Sequence, residues 1–329
     1  MIISIKSENK PEKCPIFDIN QWFVSDVLLN LIITIGRIMT ESAEKTPSPA
    51  QAPIKKGKKT WMVALAAVVV VVLLVLVVVM GGFLNSNEST LDKIKKQGKI
   101  VMATEASFDP FESYNGTNIV GFDIDLAQKI TENVSKSLNM SIQLEVKDYV
   151  FKNIPAALQT KSIDMSLSGM TITDLRNKSV LFSTPYYMMQ GGLGLLVRSS
   201  FDSVHNISDL AGKKIVVNTG TTSEDWVQKN LTSKGLISTP TSLDTIDGCV
   251  QDVISGHSDI FIIDNSTCAA YVDKTAGAVK VAAVIPGVEP YGVAMNLGST
   301  DLKAIVDKTI NGMITSGEMQ ALMVKWKLV

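Results

Sequence analysis

"IDMSLSGMTITDLR", residues 163–176, passes from a short apolar run to a glycine, threonines, an aspartate and an arginine. The apolar run reads as a short buried strand. The residues after it read as a helix entered through Thr173, whose hydroxyl suits an N-cap. On that reading Arg176 sits one turn into the helix, close to the strand end. Gly169 lets backbone and ligand approach closely. Free N–H groups near a helix start attract an anion, and Arg176 offers a planar fork of donors that matches a carboxylate. An ordinary surface arginine is the plainer alternative.

Outward from this stretch the pattern repeats. "KIVMATE" (99–105), "SIQLEVKDY" (141–149), "GKKIVVNTG" (212–220) and "DIFIID" (259–264) read as strands, and "VGFDIDLAQKITENVSKSL" (120–138) and "NIPAALQTK" (153–161) as helices. Strands alternating with helices predict an α/β fold with a mostly parallel sheet. Four strands exit into polar, small or aromatic residues: Glu105–Phe108, Ser168–Arg176, Asn218–Ser223 and Asp264–Thr267. Ligands of open α/β sheets collect beyond such ends, so the four exits predict one shared cleft. Asp264 closes the apolar run "DIFII" and would be costly to bury unpaired. It either pairs with a ligand ammonium or caps the following helix. An arginine and an aspartate in one site would grip both ends of a zwitterion, which points to an α-amino acid.

The chain has 329 residues, 46% of them hydrophobic, and a net charge of −1. That balance gives no reason to expect a nucleic-acid partner. Two histidines, three cysteines (Cys14, Cys249, Cys268) and no close metal-ligand spacing argue against a metal site, and no cofactor is expected. Cys249 and Cys268 read as buried free thiols, with a disulfide as the alternative. "WMVALAAVVVVVLLVLVVVMGGFL" (61–84) carries no charge. As a helix it spans about 36 Å, enough to cross a bilayer. "KKGKK" (55–59) precedes it, so positive charge stays in the cytoplasm and the rest of the chain lies outside. The run is longer than a signal-peptide core, which predicts an uncleaved single-pass anchor in the cell membrane. Residues 1–60 read as a disordered cytoplasmic leader, and residues 1–38 as a start-site artefact ahead of a natural Met39. Eight Asn-x-Ser/Thr sites, at Asn87, Asn115, Asn133, Asn139, Asn177, Asn206, Asn230 and Asn265, predict a glycosylated outer surface with Asn265 left bare.

The stretches "KIVMATEASFDPFESYNG", "VGFDIDLAQKI", "NIPAALQTKSIDMSLSGMTITDLR", "FSTPYY", "DLAGKKIVVNTGTTSEDW", "DIFIIDN" and "YGVAMNLGSTDLKAIVDKTINGMITSGEMQALMVKW" carry a resemblance. From about residue 90 to the end, the chain resembles the family-3 extracellular solute-binding proteins. These are the polar amino-acid receptors of ABC importers, and the glutamine and lysine/arginine/ornithine receptors are among them. The resemblance implies a two-lobed, type II periplasmic-binding-protein-like fold with two hinge strands, here preceded by the transmembrane helix. Lobe 1 would hold 90–187 plus 292–329 and lobe 2 would hold 188–291, with "MMQGGLGLLV" and "VEPYGVA" as the crossings. It also implies partners: an amino-acid ligand, and the permease and ATPase subunits of an importer.

Carried over position by position, Arg176 holds the ligand carboxylate with the Thr171 N–H and the Thr222 backbone. Asp264 takes the α-ammonium, with Ser168 or Gly169 and Thr171 assisting. Phe108 and Phe151 cover the side-chain pocket, with Tyr149 a rival to Phe151. Glu105 reaches the ligand's distal polar group, and Asn218, Thr221 and Thr222 complete the set. Asn218 and Ile263 stand where glutamine receptors use polar or basic residues. A carboxylate at Glu105 suits a cationic or amide side chain better than an acidic one, leaving lysine, arginine, ornithine and glutamine open. A cyclohexadienyl dehydratase-like enzyme, acting on prephenate or arogenate, is the alternative, with Glu105 as its general acid. A binding protein is the more economical reading, because no nucleophile–base pair is evident.

Overall fold

The computed structural model describes residues 88–329, so the expected leader, apolar anchor and Met39 start lie outside the described residues. Among the described residues no helix is long and apolar enough to cross a membrane.

The chain enters through α1 (Thr90–Gln97) and β1 (Lys99–Thr104), then makes a small antiparallel sheet from β2 (Ser107–Phe108), β3 (Glu112–Asn115) and β4 (Asn118–Val120). Next come α2 (Phe122–Leu138), β5 (Gln143–Asp148), α3 (Ile154–Gln159), β6 (Met165–Ser166) and β7 (Leu181–Phe182). β8 (Tyr187–Gln190) leads out to β9 (Leu193–Arg198), β10 (Ile215–Asn218), α4 (Thr222–Asn230), β11 (Thr241–Leu243), α5 (Ile246–Ile254), β12 (Ile260–Asp264), α6 (Asn265–Lys274) and β13 (Val279–Ile285). β14 (Val288–Tyr291) returns the chain to β15 (Ala294–Met295), α7 (Thr300–Ser316) and α8 (Glu318–Lys325).

Two five-stranded sheets result, in the orders β5–β1–β6–β15–β7 and β11–β10–β12–β9–β13. Strands β1, β9, β10 and β12 are buried along nearly their whole length because both faces of each sheet are covered. In β1, Ile100 and Met102 pack with α2 and α7, while Val101 and Ala103 pack under α3 with Ile154 and Leu158. In β12, Phe261 and Ile263 face one core and Ile260 and Ile262 the other. Helix α2 buries Phe122, Leu126, Ile130 and Val134, one residue every four, which is the stripe a helix lays on a sheet.

The sheets are mixed, which corrects the expectation of mostly parallel pairing. β1 pairs parallel with β5 and β6, and β10 with β11 and β12. β15 runs antiparallel to β6 and β7, and β9 runs antiparallel to β12 and β13. The reason is the double crossing: β9 and β15 each enter a sheet from the far side, straight off a crossing strand. The crossings themselves, β8 and β14, pair antiparallel from Tyr187↔Tyr291 to Gln190↔Val288. Cys249 and Cys268 are free and buried, and burial pushes both thiols well up, which keeps them inert.

Candidate functional site

The four strand exits meet. Glu105, Phe108, Phe151, Ser168, Gly169, Thr171, Arg176, Asn218, Thr221, Thr222 and Asp264 all line one cavity, joined by Ser223, Ile246, Ile262 and Ile263. Tyr149 does not line it and packs, half-buried, against the core cluster that holds Ile154 and Leu158.

Arg176 reaches the cavity from a different local structure than its sequence suggests. No α-helix follows β6; the chain turns and makes a single 3₁₀ turn, Arg176–Lys178. The Thr173 hydroxyl still accepts the Arg176 N–H at 3.1 Å, so the cap chemistry survives without the helix. The helix fails because this stretch bonds to the returning chain: Ile172 N–H donates to Pro290 O at 2.8 Å, and Gly292 N–H to Met170 O at 3.1 Å. The guanidinium lies over the Phe151 ring, 5.3 Å from its centroid. Nη1 donates to Thr171 O and Nη2 to Gly220 O, both at 3.0 Å, so the arginine ties the first lobe to the second. Burial lowers its pKa, and the charges of Asp225, Glu289 and Asp264 oppose that shift.

Asp264 ends β12 and precedes α6, yet its side chain makes no capping bond. Its Oδ2 accepts the Tyr291 hydroxyl at 2.7 Å. Its Oδ1 is buried with no protein partner. Burial pushes this carboxyl up to about 7, Glu289 adds to the shift, and Tyr291 and Arg176 oppose it. A buried acid oxygen without a donor is costly, so the geometry invites a cation there.

Glu105 closes the other end. Its Oε1 accepts Asn218 Nδ2 at 3.0 Å and the Ile246 N–H, the first amide of α5, at 3.2 Å. Burial pushes it up to about 7 against those two bonds. Asn218 is thus a partner of Glu105, built from the second lobe.

The Ser168 hydroxyl and the Gly169 N–H are committed to the protein. Ser168 Oγ accepts the Glu105 N–H at 3.0 Å and donates to Glu112 Oε1 at 2.8 Å, and Gly169 N–H donates to Asp123 Oδ2 at 3.0 Å. The expected reason for Gly169 also changes: at its φ of +51° an added Cβ would run into the Phe108 ring, so the close approach is by Phe108. Behind the loop, Glu112 and Asp123 are wholly buried. Burial first, and the Asp123 charge second, push the Glu112 carboxyl well up, so it stays protonated beside its neighbour.

Sequence reasoning missed Tyr291, Glu289 and the Ile246 amide. Tyr291 and Glu289 lie inside "VEPYGVA", read only as a crossing; their polarity at a crossing between two apolar sheets was the available signal.

The model of the bacterial extracellular solute-binding proteins, family 3, matches residues 100–329. The chain belongs to that family and is a solute-binding protein, not an enzyme. The L-cystine-binding protein TcyJ of Escherichia coli (strain K12) is 28% identical over 243 residues, 73% of this chain and 87% of that one. The structure of the arginine-, lysine-, histidine-binding protein ArtJ from Geobacillus stearothermophilus superposes with a TM-score of 0.61 at 31% identity, covering 69% of this chain and 94% of that one. An ancestral amino acid-binding protein, AncCDT-1, a precursor of cyclohexadienyl dehydratase, gives 0.63 at 32% identity, covering 72% of this chain and 99% of that one. The two-lobed α/β fold is supported by the likeness to these solved structures.

Proposed function

We propose that this protein captures a cationic α-amino acid between its lobes and delivers it to the permease and ATPase subunits of an ABC importer. One observation carries the reading: a single cavity holds one guanidinium, Arg176, and two carboxyls, the buried Glu105 and the half-buried Asp264, whose Oδ1 is enclosed. Arg176 matches an α-carboxylate, and the unpartnered Asp264 Oδ1 matches an α-ammonium. Glu105 then faces the side chain and suits lysine, arginine or ornithine; a glutamine amide is the runner-up. The relatives support this, since one binds arginine, lysine and histidine. A prephenate-like substrate would set a carboxylate against Asp264, so the geometry does not favour the dehydratase alternative.

On the same reading the protein sits at the cell membrane, held by 61–84, with residues 88–329 outside. Glycans on this face would sit at Asn115, Asn139, Asn177 and Asn206, whose residues are exposed. Asn133 is less suited, because its amide donates to Thr309 at 3.0 Å.

Titration calorimetry of the detergent-solubilised chain against the twenty amino acids plus ornithine tests the reading. Binding is expected with arginine, lysine or ornithine and not with glutamate. An unmade charge-assisted bond costs about 2–5 kcal/mol, so Arg176→Ala is expected to weaken binding roughly 30-fold to several thousand-fold. Arg176→Lys keeps the charge but loses the fork and is expected to bind weakly too. A preference for glutamate, or Arg176→Ala within threefold of wild type, overturns it.

A further inference from the structure

Glu289 lies on β14 opposite Met189 of β8, in the crossing itself. Its Oε2 accepts two hydroxyl hydrogens, from Thr171 at 2.6 Å and from Thr222 at 3.0 Å. Thr171 follows β6 of the first sheet, and Thr222 opens α4 beside the second. One carboxylate oxygen is therefore bonded to both lobes at once. Both threonines also line the cavity next to Arg176, on the side suited to a carboxylate.

Other contacts join the lobes, but none has this placement. Lys152 pairs with Asp244 across the cleft at 2.7 Å with both side chains about half exposed, where water screens the pair. The Tyr271 hydroxyl donates to Ser107 O at 2.9 Å, yet neither residue lines the cavity. Glu289 alone among these touches the crossing, both lobes and two residues of the site. A carboxylate only accepts, so its oxygen keeps both partners only while each lobe presents its hydroxyl; opening the cleft must break at least one bond. The same bonds turn both threonine side chains toward the crossing and fix the backbone around them.

We propose that Glu289 is a closure latch, a positioning residue that holds Thr171 and Thr222 in place from opposite lobes and slows release without touching the ligand. The proposal rests on the amino-acid reading of the site for its ligand, but the latch itself is a property of the chain and is measured separately.

The test uses the full chain in detergent, with L-arginine as the probe. Bonds to a charged group are among the stronger ones, and affinity changes within one interface fall mostly on dissociation. Glu289→Ala is expected to speed L-arginine release by roughly 10-fold or more, with association within about threefold of wild type. Glu289→Gln keeps an acceptor oxygen and is expected to recover most of the slow release. Hydrogen exchange without added amino acid gives the second readout. In Glu289→Ala, amides of 171–176 and 219–224 are expected to exchange faster while those of the core strands 215–217 and 260–263 keep their wild-type rates. Exchange that rises in the core strands as well, or nowhere, overturns the latch, as does an unchanged release rate. If the wild type binds no L-arginine, hydrogen exchange decides the latch by itself, and the cationic reading falls only when L-lysine and L-ornithine fail as well.

Discussion

Asp264 and Glu105 are two acids whose charge depends on what shares the cavity with them. Burial pushes each up to about 7. A ligand ammonium or guanidinium pairs only with the ionised form, so below pH 7 each acid must release a proton before it binds the cation. Affinity for L-arginine is therefore expected to be highest at about pH 8, before the ligand's own α-ammonium loses its proton, and to fall by about tenfold per pH unit for each acid between pH 7 and 5. Stability of the unbound protein runs the other way. A carboxyl raised in the folded state contributes stability below its unfolded value, near 4, and that contribution is lost as pH rises through about 7. Asp264→Asn is expected to remove part of the fall in melting temperature between pH 5 and pH 8, while abolishing the pH dependence of binding that Asp264 contributes. Melting curves and calorimetry across this range measure both; a pH-independent affinity contradicts the assignment. Asp264 stood out in the sequence because it closes an apolar run, and Arg176 because its fork of donors follows a glycine and threonine turn, although a helix cap and a surface arginine were the plainer readings of each. Tyr291 and Glu289 were not, because their partners lie more than twenty residues away in the chain.

The elements position the site through their ends. β1, β6, β10 and β12 were legible from short apolar runs, and both faces of each sheet are buried as such runs imply. The turn after β6 was not legible, because its hydrogen bonds go to β14 and the residues beyond it instead of to its own fourth neighbour. That turn leaves Gly169 in the left-handed region against Phe108. Gly169→Ala meets both obstacles, backbone strain and the ring, which together cost about 2–4 kcal/mol. It is expected to lower the melting temperature and to weaken L-arginine binding by moving Phe108. Phe108→Ala in the same chain makes room and is expected to recover part of the stability but not the binding. Denaturant unfolding of the single and double variants checks this, and a Gly169→Ala protein as stable as wild type contradicts it.

At the scale of the whole molecule, an outer binding unit is joined to a membrane through 61–84 on the reading proposed above. On that reading the uncharged run gives the span, and "KKGKK" before it gives the direction. The protein is expected to stay in the membrane fraction through an alkaline carbonate wash, and protease added to intact cells is expected to digest residues 88–329. A mature chain that is released in soluble form and begins near Asn85 contradicts the anchor.

By itself the sequence determined the α/β class, the strand ends that carry chemistry, and the two opposite charges of the site, because each depends on local periodicity or on one residue's position after an apolar run. Only the tertiary structure decided the mixed pairing of the sheets, the loss of the helix at Thr173, and the partners of Asp264, Glu105 and Glu289. Those depend on where a chain that crosses between sheets twice re-enters them. A hydrogen bond between Asn218 and Glu105, 113 residues apart, leaves no local pattern to read.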